Sequence, residues 1–213
     1  PDERMRAILD EAVRIANGTA RALAMAPRNP DVVRIYDDRQ WQTGFVGDDY
    51  QWMGGDPANG RDHDARTMFF YFATVNTPAM ALKMVGVGSQ YAMAFRDADG
   101  EYLDGAEHYR LTIPNDAPAK DFWSVVAYDP QTRSELQTGQ PFPSRNSERD
   151  DLVVGPDGVT DLYFGPEPPE GAPASNWIQT VPGKGWFVVL RLYGPLEAWF
   201  DQTWRPGDIQ RLT

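Results

Sequence analysis

The chain has 213 residues, 41% hydrophobic and 12% aromatic, which is enough to bury a core and too apolar for a disordered segment. Its net charge of −11 has the wrong sign for a nucleic-acid groove. It contains no cysteine, which excludes disulfides, thiolate metal sites and cysteine nucleophiles.

The first 27 residues predict one amphipathic helix. Met5, Ile8, Leu9, Ala12, Ile15, Ala16, Thr19 and Leu23 recur at helical spacing, Asp2 is placed to cap the start, and Pro27 and Pro30 stop it. Asn17-Gly18-Thr19 matches a glycosylation acceptor but falls inside this helix and is discounted. Residues 31–61 are irregular, a packed loop or one short hairpin. The run from Asp64 to Val85 is apolar nearly all round. It predicts a helix over Asp64–Val75, a break at Asn76-Thr77 and a second helix from Pro78 to Val85, both buried on every side. No apolar run reaches the roughly 20 residues of a membrane span, and no stretch reads as a signal peptide.

From Ser89 the period changes to two. Strands are expected over 89–96, 108–113, 122–128, 152–154, 160–164, 177–180, 186–193 and 208–212, with turns at Asp99-Gly100, Asp129-Pro130 and Pro182-Gly183 among others. A short helix is expected in "GPLEAWFDQTW". Many short strands with irregular connections predict a jelly-roll β-sandwich over 87–213, packed on a helical segment over 1–86.

Several stretches carry a family resemblance: "FRDADGEYLDGAEHYRLTIP", "DFWSVVAYDPQTRSEL", "GVTDLYFGPEPPEG", "NWIQTVPGKGWFVVLRLYGPLEAWF" and "WRPGDI". Together they resemble the bacterial domain of unknown function 1214. "DARTMFFYFATVNTPAM" looks like the join with its usual partner, domain of unknown function 1254. The resemblance covers residues 60–213 and implies a jelly-roll domain on a helical segment. It also implies a periplasmic or secreted setting and an additional upstream β-domain, so that this chain is expected to be the later portion of a larger protein. It supplies no activity and no cofactor.

The residues themselves raise several candidate sites. In 186–193, Trp186, Val188, Leu190 and Leu192 face one way and Phe187, Val189, Arg191 and Tyr193 the other, the pattern of a central strand covered on both sides. Arg191 is the exception. It is either a buried guanidinium paired with a carboxylate and backbone carbonyls, holding two layers in register, or an anion-binding group on a cavity wall. Arg110 shares the outward face of its strand with His108 and Thr112. Asn176 and Trp177 are placed to orient a ligand, with Trp123 and Trp186 as stacking faces, although aromatics at alternating strand positions favour core. The two histidines, His63 and His108, lie too far apart in the sequence to build a metal site alone. Asp97, Asp99, Glu101 and Asp104 offer oxygen ligands, but Asp99-Gly100 between two strands reads first as a hairpin turn, and no metal is expected.

The ligand-binding set is therefore Arg191, Tyr193, Arg110, Asn176, Trp177 and Trp123. Three functional classes stay open. One is a protein binding a small organic ligand, a saccharide or a carboxylate, in the sandwich or at its seam with the helices. Another is an enzyme using Arg191, Arg110, Tyr193 and a carboxylate. The third is an assembly module whose apolar helices pack on another domain or on a sister subunit in a homo-oligomer.

Overall fold

The structure, a computed structural model, describes residues 1–53, 60–73 and 75–212. The chain divides into a helical unit, Pro1–Val33 with Gly44–Leu82, and a β-unit, Arg34–Thr43 with Lys83–Thr213.

In the helical unit, α1 (Glu3–Met25) starts where the Asp2 carboxylate accepts the Met5 amide at 2.8 Å, satisfying one of the orphan donors of the first turn. Its apolar stripe forms as the spacing predicts, but only Leu23 and Ala24 are buried. Met5, Ile8, Leu9, Val13 and Ile15 stay exposed. Asp62 caps α2 (His63–Phe72) in the same way, through the Ala65 amide at 2.9 Å. The unit's small core joins Ala24, Val33, Val46, Trp52, Ala65, Met68 and Phe69. The Phe69 ring lies 4.9 Å from Phe45 and 5.1 Å from Trp52.

Here the structure corrects the sequence reading. α2 ends at Phe72 instead of Val75, α3 covers only Pro78–Ala81, and the run beyond it is not helical. Of these segments Ala65, Met68, Phe69 and Ala81 are buried, whereas Phe70, Val75, Leu82, Met84 and Val85 are exposed. Composition alone made the segment look buried on every side; a four-residue helix has too few turns to bury a complete circumference.

The β-unit holds two four-stranded sheets. The first contains β1 (Ser89–Ala94), β3 (Ala119–Tyr128), β4 (Ser144–Asn146) and β7 (Phe187–Pro195), in the order β1-β7-β3-β4 and antiparallel throughout. The second contains β2 (Tyr109–Ile113), β5 (Thr160–Gly165), β6 (Trp177–Gln179) and β8 (Gln210–Arg211), in the order β6-β5-β2-β8, with β5 and β6 parallel. A short helix α4 (Glu197–Phe200) follows β7. Period-two alternation sends Trp186, Val188, Leu190 and Leu192 inward to meet Tyr109, Leu111, Ile113, Leu162, Phe164 and Ile178 of the other sheet, in one shared core. The chain is thus a β-sandwich with an α-helical segment, and the middle of the sandwich is filled with side chains. Trp41, Tyr36, Tyr109, Phe164 and Leu190 are among its fully buried members.

Two more differences concern the strands. Residues 152–154 form no strand; the Asn176 side chain takes both the amide and the carbonyl of Val153, at 2.8 and 2.9 Å, where a ladder partner would stand. In its place β4 forms in "PFPSRNS", a proline-flanked polar stretch with no apolar alternation to announce it. Residues 34–43 run along the free edge of β1: Gln42 and Met93 exchange backbone hydrogen bonds at 2.8 and 2.9 Å. This strap is pinned further by the Trp41 indole donating to the Gly207 carbonyl at 2.9 Å and by the Gln40 amide on the Asp208 carboxylate at 2.9 Å. Asp99-Gly100 is a hairpin turn: Arg96 bridges Tyr102, and the buried Asp97 carboxylate accepts the amides of Asp99 and Glu101.

Candidate functional site

Outward-pointing residues on the first sheet share one face by cross-strand register. Arg191 on β7 stands opposite Tyr91 on β1 and Ser124 on β3; Tyr193 stands opposite Phe122, and Phe187 opposite Tyr128. A period of two puts Tyr91, Phe122, Ser124, Tyr128, Arg191 and Tyr193 on the same side. The Arg191 guanidinium donates from Nη2 to the Tyr128 hydroxyl at 2.6 Å. It lies 5.6 Å from the Tyr91 ring centroid and 5.9 Å from that of Tyr128. Phe122 and Tyr193 stack at 4.1 Å, and Phe187 stacks between Phe95 and Tyr128 at 5.0 and 5.3 Å.

This guanidinium is half-buried, and among the described residues no carboxylate stands within ion-pairing distance of it. Burial alone would lower its pKa; the phenols of Tyr128, Tyr193 and Tyr91 outweigh that and raise it. Burial likewise pushes the Tyr128 phenol above the ordinary tyrosine range, with Arg191 offsetting part of the effect. Tyr128 therefore keeps its proton at neutral pH and can donate it while accepting from Arg191. The Arg191 Nε is sealed from solvent without a partner. Chemically the cluster is a cation without a carboxylate partner among the described residues, ringed by phenol hydroxyls and aromatic faces.

The remaining sequence candidates lie elsewhere in the sandwich. Arg110 points outward from the second sheet and donates from Nη2 to Gln210 Oε1 at 2.8 Å, so the sandwich core separates it from Arg191. Trp123 faces inward and is buried in that core. Asn176 is fully buried with its amide spent on Val153 and on the Asp161 carbonyl, at 2.8 Å. The Trp177 indole donates to the Gly165 carbonyl at 3.0 Å. His108 Nε2 lies 3.2 Å from the Glu167 carbonyl, and His63 opens α2. Only Arg191 and Tyr193 come together, and Tyr91 and Tyr128 join them. Strand parity puts Tyr91 and Tyr128 each on an outward face, but only the cross-strand register brings them beside Arg191.

The residue that fills the role first considered for Arg191 is Arg145, on the edge strand β4. Its Nε donates to the Ser175 carbonyl at 2.6 Å, Nη1 to Ser144 at 2.7 Å, and Nη2 to the carbonyls of Ala174 and Trp177. One guanidinium thereby ties the edge of the first sheet to the start of β6 in the second. Burial lowers its pKa. A shallow cleft of about 370 Å³ beside it is lined by Gln140, Phe142, Ser144, Arg149 and Asp150 among others.

Against known proteins, the family model described as "Protein of unknown function (DUF1214)" matches residues 88–197, which is more than half of the chain. The chain belongs to the DUF1214 family. The DUF1214 region thus holds β1 to β7, with Arg191 and its three tyrosines inside it. No curated protein matches the chain. Among solved structures, the VPA0106 protein from Vibrio parahaemolyticus is similar with a TM-score of 0.54 at 20% identity, over 78% of this chain and 39% of that one. A putative uncharacterized protein from Burkholderia cenocepacia has a TM-score of 0.39 at 19% identity, over 64% of this chain and 34% of that one. This DUF1214 chain therefore spans well under half the length of either. The first likeness concerns the fold alone. Among the described residues, no helix is long and apolar enough to cross a membrane, and no group of three or more His, Asp or Glu side chains is arranged to hold a metal ion.

Proposed function

We propose that this DUF1214 domain binds a small organic carboxylate at Arg191 on the outer face of the first sheet. The observation that carries the reading is the half-buried guanidinium with no carboxylate among the described residues within ion-pairing distance. A partly desolvated charge in a protein is ordinarily matched by a counter-ion, and a charge-assisted bond from guanidinium to carboxylate is the stronger kind of hydrogen bond. Tyr128 and Tyr193 add hydroxyl donors on either side. A saccharide is the weaker fit, because it would leave the cation without a counter-charge. The sandwich interior is packed with large side chains, which favours the outer face over the space between the sheets. Titrating the chain with simple carboxylates, followed by amide chemical-shift changes, tests the reading. Saturable shifts at β1, β3 and β7 that vanish in Arg191→Gln are expected; their absence, or their survival in that variant, would refute it.

A second reading, an assembly module, draws on a different observation. The first four turns of α1 expose Met5, Ile8, Leu9, Val13 and Ile15. Apolar stripes of this kind mark interaction surfaces. Sedimentation of the chain beside a variant carrying Ile8→Lys and Ile15→Lys tests it: a concentration-dependent oligomer that the variant dissolves is the expected result, and a monomer in both would refute it.

A further inference from the structure

We infer that the Arg191 site selects a monoanionic aromatic carboxylate; the inference rests on the carboxylate reading above and deepens it. Around the guanidinium the outer face is built of rings. The Tyr91 and Tyr128 centroids lie 5.6 and 5.9 Å away, and two residues along β7 Tyr193 stacks on Phe122 with their ring centroids 4.1 Å apart. All four rings are only partly buried. A ligand whose carboxylate meets the Arg191 guanidinium and the Tyr128 hydroxyl proton thus places its next atoms against aromatic faces and edges. An alkyl chain there gains area alone. A planar ring also gains the quadrupole interaction that favours offset and edge-to-face pairs.

The charge preference follows from what surrounds the arginine. Arg191 is the cation over the Tyr91 and Tyr128 rings, and Glu135 adds negative charge beside Tyr128. The chain as a whole carries −11. A dianion brings one charge to Arg191 and leaves the other uncompensated in a negative field. One cation flanked by phenols therefore suits one carboxylate.

The test compares four probes on the whole chain by calorimetric or NMR titration at constant ionic strength: benzoate, cyclohexanecarboxylate, propionate and phthalate. Benzoate is expected to bind about fivefold or more tightly than cyclohexanecarboxylate, which matches its charge and bulk without the ring electrons. Phthalate is expected to bind more weakly than benzoate. Phe122→Leu, which removes a ring of the stack and no hydroxyl, should move the benzoate-to-cyclohexanecarboxylate ratio toward one while propionate binding persists. Equal affinity of benzoate and cyclohexanecarboxylate, or tighter binding of phthalate, would overturn the aromatic monoanion and leave the carboxylate reading standing. No binding of any probe, or binding undiminished in Arg191→Gln, would overturn the carboxylate reading and this inference with it. Because the probe ratio is read on the unaltered chain, the selectivity test does not depend on any variant folding.

Discussion

Two half-buried arginines in one sandwich do opposite things. Arg145, on the edge strand β4, gives its donors to four backbone carbonyls and closes the gap to the second sheet. Arg191, on the central strand β7, has an aromatic face around it, phenols as its neighbours and a sealed Nε without a partner. Burial dominates at Arg145 and lowers its pKa; at Arg191 burial is outweighed by the neighbouring phenols. The contrast shows that burial does not make a charge structural. What decides is whether its donors are consumed by the protein itself.

Stability measurements can break this distinction. The largest effect is expected at the edge bolt. Arg145→Ala removes four charge-assisted bonds, taking the guanidinium from the Ser175 carbonyl and one of two donors from those of Ala174 and Trp177, a loss of about 3–5 kcal/mol in urea unfolding. A variant that unfolds like the parent would remove Arg145 from its role. Asn176→Ala, beside the same edge, strands the Val153 and Asp161 backbone groups and should cost about 2–3 kcal/mol.

Asp129 offers a smaller, pH-dependent comparison. Burial would raise its carboxyl, but the amides of Gln131 and Thr132 and the Lys184 ammonium outweigh it and hold the pKa below the ordinary carboxylate range. A carboxyl with a lowered folded pKa stabilises the fold above its unfolded pKa, and that contribution is lost as pH falls through the folded value. Melting temperature should therefore drop on acidification below about pH 4, and Asp129→Asn should blunt this drop at a neutral-pH cost of about 1 kcal/mol. A melting profile with unchanged acid dependence in the variant would count against it. The smallest effect belongs to Arg191. Arg191→Leu orphans no carboxylate and removes an unsatisfied Nε, so stability should change by less than about 0.5 kcal/mol while carboxylate binding disappears. A loss like that of Arg145 would make the two arginines alike after all.

How much of this was legible follows from where periodicity operates. β7, with Trp186, Val188, Leu190 and Leu192 inward, alternates without a break, and its place as a covered central strand followed directly. Asp99-Gly100 carried its own turn chemistry. β4 did not announce itself, because an edge strand of three residues behind Pro141 and Pro143 needs no apolar face; Arg145 was hidden with it. Residues 152–154 were expected as a strand, but a side-chain amide holds Val153 instead of a neighbouring strand, and sequence spacing carries no record of that choice. Arg191 was visible as the odd residue in an apolar run. Its partners were not, since the register that brings Tyr91 and Tyr128 beside it is set by long-range pairing between strands far apart in the chain.

The strap at residues 34–43 bears on how the sandwich is made. The chain enters the β-unit at Arg34, leaves at Thr43 and returns at Lys83, so the unit is discontinuous. Its early piece reaches the far end of the chain: the Tyr36 hydroxyl meets the Trp204 carbonyl across 168 positions. Contacts of that span close late, because the entropy of closing a long loop must be met before they form. A nascent chain therefore carries Tyr36 and Trp41 unburied until the last residues have been synthesised. A fragment beginning at residue 83 would have β1 unpaired on one side and an empty slot the size of an indole. The ten residues of the strap, added as a separate peptide, are the natural complement to that fragment, and the sandwich is in this sense already divided into two parts that can find each other.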